Sequence, residues 1–251
     1  MNRIDRILKD NYYEINYSIN RILYTNIGNT LLNVVYFCIF CIFWSVLKLA
    51  IRNIITKNEI MGGNIFSLIH AIVVSIYGIL CIFSNANPEL LLAFSLSYFL
   101  MDMLINKLDL PFKVHHTFAS ISFIVIILNM YLVKPYLLIF TLGEISSPLQ
   151  NYFFTMKTWY GDDVNQKKNF IKKYRVLFWV FVKIYNTARF YISPFVFCWL
   201  VYMTKRTYES YVFWIIGMVY AVIIYGSLRW SKGQSKKLKE YYTPIDEKKQ
   251  Y

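Results

Sequence analysis

Seven stretches of this chain stay apolar for about as long as a helix needs to cross a lipid bilayer. Nothing else in the sequence constrains the fold as strongly. A crossing takes roughly 20 residues of mostly apolar sequence, and the candidates run over 30–51, 64–84, 89–105, 114–133, 135–157, 174–202 and 208–229. Hydrocarbon offers no partner for a backbone N–H or C=O, so a spanning segment must satisfy its own hydrogen bonds and is expected to be helical. The reading is an all-α polytopic membrane protein with about seven transmembrane helices. Composition agrees: 57% of the 251 residues are hydrophobic and 16% charged, whereas soluble domains carry about a quarter charged residues.

The net charge of +13 would fit a nucleic-acid partner if it were gathered on one surface, but it is distributed between the spans, so no nucleic acid is expected. Alternate assignment to the two membrane faces leaves Arg3, Arg6, Lys9, Arg21, Lys134, Lys205 and Arg206 on the amino-terminal side. The larger share falls on the other side, mostly in 157–175 and in the tail from Arg229. Positive residues favour the cytosol, which places the carboxyl terminus there and the amino terminus in a lumen. Two features agree with that orientation. Asn16-Tyr17-Ser18 is a glycosylation sequon on the lumenal side, and the terminal KKQY is similar to a dilysine retrieval signal of the endoplasmic reticulum. The chain divides into a lumenal or interfacial amphipathic segment 1–29, a transmembrane region 30–229 and a basic cytosolic tail 230–251. In the first of these, Ile4, Ile7, Leu8, Ile15, Ile19, Ile22 and Leu23 recur at helical spacing, as in a helix lying on a membrane surface. Cys38, Cys41, Cys81 and Cys198 all fall inside candidate spans. They read as packing residues, with no metal site and no disulfide framework.

An ionisable side chain inside hydrocarbon costs at least about 2.5–3.5 kcal/mol on insertion scales, so each one calls for a reason. The candidates are His70, Asp102, the adjacent His115 and His116, Glu144, Lys183 and Arg189. His70 lies six residues into its span, roughly 9 Å at about 1.5 Å per residue. In the proposed orientation His70, Asp102 and the histidine pair occupy the same cytosolic third, on three different helices. Glu144 and Arg189 sit deeper, where a buried ion pair between them is expected. Ser95, Tyr98 and Asp102 share one helical stripe; Glu144, Ser147, Pro148 and Asn151 form another; Lys183, Asn186 and Arg189 drift around a third helix. Adjacent helical residues point about 100° apart, so one histidine is expected to face a cavity while the other braces against a neighbouring helix.

SLIHAIVVSIYGI (67–79), SYFLMDM (97–103), PFKVHHTFAS (111–120), GEISSPLQN (143–151) and YNTARFYISP (185–194) resemble, in order and spacing, the TLC-domain family. That family includes ceramide synthases, translocating-chain-associated membrane proteins and smaller lipid-linked members. The resemblance covers about 45–235 and implies a six-helix TLC-type bundle around an intramembrane cavity. By resemblance, the catalytic pair of the ceramide synthases falls on His115 and His116, with acyl-CoA as co-substrate and a sphingoid base receiving the fatty acyl chain. Imidazole suits such chemistry, because an attacking amine must lose a proton. Synthases carry a further His-Asp and nearby aspartates on the next helix, where this chain has only Glu144. The Glu-Ile-Ser-Ser-Pro run is closer to the smaller TLC-domain-containing proteins.

The first functional expectation is therefore lipid handling by an N-acyltransferase of the ceramide-synthase type. His115, His116, Asp102 and Glu144 form the catalytic set; His70, Tyr98, Asn151, Lys183, Asn186 and Arg189 contact substrate. No bound cofactor is expected, and a second copy of the chain in a homodimer is an allowed partner. The alternatives are a non-enzymatic lipid-binding or membrane-composition protein using the same cavity, and a translocon- or cargo-associated protein.

Overall fold

The computed structural model describes residues 31–84, 86–106, 108–128, 133–160, 164–207 and 210–242. The amphipathic segment 1–29, its sequon and the terminal KKQY lie outside them. All regular structure among the described residues is helical. The elements are α1 (Leu31–Ile55), α2 (Glu59–Phe83), α3 (Pro88–Ile105), α4 (Leu110–Leu128), α5 (Val133–Glu144), α6 (Ser147–Trp159), α7 (Val164–Asn186), α8 (Ser193–Thr207) and α9 (Ser210–Tyr242). A π-helical segment, Thr187–Ile192, joins α7 to α8. Helices α1 to α4 are long and apolar enough to cross a membrane.

Local chemistry sets these boundaries. The Asn58 side chain accepts from the Met61 amide and caps α2. Asn87 does the same for the Glu89 amide of α3, ahead of Pro88 in the first turn, where its missing N–H costs nothing. In α4 the amides of Phe112 and Lys113 both bond the Asp109 carbonyl, and Pro111 occupies the first turn. The helix therefore begins about one turn before His115 and His116.

The expected span 135–157 is two helices. Pro148 in the first turn of α6 has no N–H for the Glu144 carbonyl four residues back. The Ser75 hydroxyl of α2 donates to that carbonyl instead, at 3.3 Å. At 12 residues, α5 is about 18 Å long at 1.5 Å per residue, short of a bilayer core by itself. The stretch 174–202 is likewise interrupted. The Ser193 amide bonds the Ala188 carbonyl, five residues back, just before Pro194, whose missing N–H would leave a regular ladder with an unpaired rung.

The main core joins α1 to α5 and reaches Leu200 of α8 and Ile216 of α9, around the fully buried Trp44, Phe66, Val74, Leu92, Phe123 and Ile126. A second cluster, Phe178, Phe181, Val182 and Tyr185, packs α7 against α6 and Trp230 of α9. The outer faces are also apolar: Val34, Ile42, Val46, Ile60, Ile76, Phe83 and Phe195 are all exposed. Apolar surface on this scale is disfavoured in water but matches hydrocarbon.

Candidate functional site

Two polar assemblies meet at the start of α4. The first is buried between α1, α2, α3 and α4. Asp102 is 2% exposed, and its carboxylate is approached from three sides. The Asn106 amide donates to Oδ1, the Tyr98 hydroxyl lies 3.4 Å from Oδ2, and His116 Nδ1 lies 3.3 Å from the same Oδ2. The imidazole is within ion-pair distance but out of line for a hydrogen bond, since Nδ1 has no aligned partner. Tyr98 also pairs with Ser67 at 2.8 Å. Lys48 of α1 donates to Asn106 Oδ1. His70 stacks on the Tyr98 ring with centroids 3.7 Å apart, and its Nε2 is 3.3 Å from Ser95 Oγ. The Trp44 indole donates to the Phe94 carbonyl and packs on both Tyr98 and Phe66.

The second assembly is a cavity of ≈ 70 Å³ between α4, α5, α8 and α9, with Phe99 of α3 on its wall. A water needs roughly 10–15 Å³ in such a space, so the cavity admits a few waters or a short length of chain. Its body is apolar, formed by residues such as Ile139, Phe140, Leu200, Ile216 and Ile223. Its polar lining includes His115, Glu144, Arg189 and Ser227. The Arg189 guanidinium donates to the Gly143 carbonyl at 2.7 Å and to Ser227 Oγ at 2.8 Å, and it lies over the Tyr185 ring. Gly143 lies in the last turn of α5, so Arg189 satisfies one of the terminal carbonyls and complements the negative end of the helix dipole. No ion pair joins Arg189 to Glu144, although both border the cavity, so the expected salt bridge is replaced by this cap. Glu144 is buried and has no cationic partner within 4 Å among the described residues.

The histidines diverge as adjacency on a helix requires. His115 borders the cavity, while His116 is 5% exposed and turns to Asp102. Phe99 touches both, with ring centroids 6.1 Å from His115 and 4.9 Å from His116. Tyr98 and His70 belong to the buried assembly and do not reach the cavity. Asn186 accepts from Ser231 at 2.6 Å and ties α7 to α9. Asn151 is half-buried on α6, and Lys183 is exposed over the Trp179 ring; neither borders the cavity. Among the described residues, no three His, Cys, Asp or Glu side chains gather closely enough to hold a metal ion.

Sequence reasoning passed over Lys48, Asn106, Ser67 and Ser227. Lys48 carried a signal, being a cation three residues inside the apolar stretch 30–51. Asn106 and the serines carried none, because uncharged polar residues at helix ends and on small-residue faces are common.

Helices this apolar, folded around buried carboxylates and imidazoles, define a helical membrane protein. The TLC-domain family model matches residues 61–230, more than half of the chain, and the protein belongs to that family. No curated protein and no solved structure matches it. The matched region starts after α1, so Trp44 and Lys48 are contributed from outside it.

Proposed function

We propose that the cavity receives the acyl chain of a lipid and that the protein is an N-acyltransferase of the ceramide-synthase type, working at the cytosolic leaflet of the endoplasmic reticulum. The observation that carries this reading is His115 on the wall of an apolar cavity, in a TLC-family chain whose next residue is backed by a buried carboxylate. In the reaction, a sphingoid-base nitrogen attacks the acyl-CoA carbonyl, the C–N bond forms and the C–S bond breaks. His115 takes the amine proton and returns it to the departing thiolate. Glu144 faces the same space and would steady the amine or the imidazole. Seven crossings are proposed, with α5 and α6 together making one and α7 and α8 another. The amino terminus is then lumenal, and the basic 157–175 region lies on the cytosolic side, where it attracts the anionic head of acyl-CoA.

A second reading, lipid binding without turnover, is favoured by one observation. Both terminal nitrogens of Arg189 are committed to Gly143 and Ser227, which leaves fewer free donors for a reacting group. Membranes carrying matched amounts of wild type and His115→Ala/His116→Ala protein, given a labelled sphingoid base and acyl-CoA, separate the two. A labelled N-acyl product in the wild type alone supports transfer. Conversion no greater than in empty membranes excludes it for that substrate, and lipid retained on the purified wild-type protein then supports binding.

A further inference from the structure

The first helix precedes the residues that the family model matches, yet a cation from it is linked to the buried carboxylate through one side chain. Lys48 Nζ donates to Asn106 Oδ1, and Asn106 Nδ2 donates to Asp102 Oδ1. The amide orientation follows from its two partners: an ammonium can only donate and a carboxylate can only accept, so oxygen must face Lys48 and nitrogen Asp102. The bridge leaves Asp102 Oδ2 for Tyr98 and His116. A Cβ on Gly63 would lie 3.7 Å from the Asn106 side chain, and one on Gly62 would lie 3.9 Å from Lys48 Nζ. Both are ordinary van der Waals separations, so α2 packs directly beneath the bridge. Asn106 is also the C-cap of α3, its amide bonded to the Asp102 carbonyl, so backbone and side chain both tie it to Asp102.

We propose that Lys48 and Asn106 are positioning residues which hold the Asp102 carboxylate toward His116, making α1 part of the functional unit. This rests on the proposed function only where catalysis is measured. The bridge supplies a counter-charge to a carboxylate that is otherwise buried, and it does so through the oxygen that His116 does not use. With Oδ2 held 3.3 Å from Nδ1, its negative charge, rather than an aligned hydrogen bond, favours the His116 proton on that nitrogen. Trp44, from the same face of α1, packs on Tyr98 and so braces a second contact to Oδ2.

The chain has three histidines, which makes nitrogen NMR of histidine-labelled protein in lipid nanodiscs the direct test. Wild type should show a single Nδ1–H tautomer for His116. Lys48→Met should convert it to a mixture, and Lys48→Arg should restore it, while the His70 signal, set by Ser95 and Tyr98, stays unchanged. Loss of the His70 signal as well would mean that Lys48→Met has disturbed the fold. In that event Asn106→Gln, which lengthens the bridge by one methylene, makes the same test. An unaltered His116 signal in the folded variant overturns the proposal, whether or not the protein proves to be an acyltransferase. If transfer activity is found, Lys48→Met should lower kcat by about tenfold or more with little change in KM, as loss of a supporting contact does, and Lys48→Arg should recover it.

Discussion

At the scale of single residues, the divergence of His115 and His116 separates two jobs that adjacency in sequence leaves merged. His115 borders the cavity and His116 leans on Asp102. His115→Ala should therefore abolish most turnover, by about 10²–10⁴-fold if it is the base, with the melting temperature nearly unchanged because the residue is only half-buried. His115→Gln should retain lipid binding, measured as lipid co-purified with the protein. Arg189 has the opposite character. It closes the end of α5, so Arg189→Leu leaves the Gly143 carbonyl and the Ser227 hydroxyl without their partner, at a cost of about 1–3 kcal/mol in thermal unfolding. Arg189→Lys should recover only part of this, since one ammonium cannot reproduce the planar fork that reaches both acceptors.

At the scale of helices, proline placement and one close contact decide the packing. Pro148 divides α5 from α6 and frees the Glu144 carbonyl, which Ser75 of α2 takes up. Ser75→Ala should cost about 0.5–1.5 kcal/mol, as expected for one intramolecular hydrogen bond. A few residues along α2, Gly78 lies so near Thr141 of α5 that an added Cβ would collide with its side chain. Gly78→Val should destabilise the pair by about 1–3 kcal/mol through overpacking. Thr141→Ala in the same chain should relieve much of the loss in detergent melting. A purely propensity-based effect would instead make Gly78→Val neutral or stabilising, because glycine is the poorer helix former.

For the molecule as a whole, orientation is the property that decides which pool of substrate the proposed reaction would draw on. Lys236 is exposed near the end of α9, and the proposed orientation places that end in the cytosol. A single cysteine introduced there (Lys236→Cys, with the four native cysteines replaced) should react with a membrane-impermeant thiol reagent once the plasma membrane alone is permeabilised. Protection until the internal membranes are opened would reverse the proposed topology and with it the leaflet of any reaction. The native cysteines must be removed first, because Cys38 and Cys198 are exposed on the outer surface.

Much of the architecture is a matter of local sequence. The length of each apolar run, the Asn-capped starts of α2 and α3, and the prolines at 111, 148 and 194 follow from hydrogen bonding that each segment must solve alone. The same holds for the rarity of ionisable groups in the candidate spans, which singled out His70, Asp102, His115, His116, Glu144, Lys183 and Arg189, of which Lys183 is exposed and away from the cavity. Their partners were a different matter. The stripe containing Tyr98 and Asp102 could be drawn from spacing alone, but its meeting with His116 and with Lys48 through Asn106 depends on how four helices are rotated and tilted against one another. Arg189 shows this most clearly: charge alone pairs it with Glu144, whereas the broken end of α5 presents a backbone carbonyl that no composition or periodicity reveals. Hydropathy and capping act over a few residues and are written in the chain. Contacts between side chains far apart in sequence are settled only by packing.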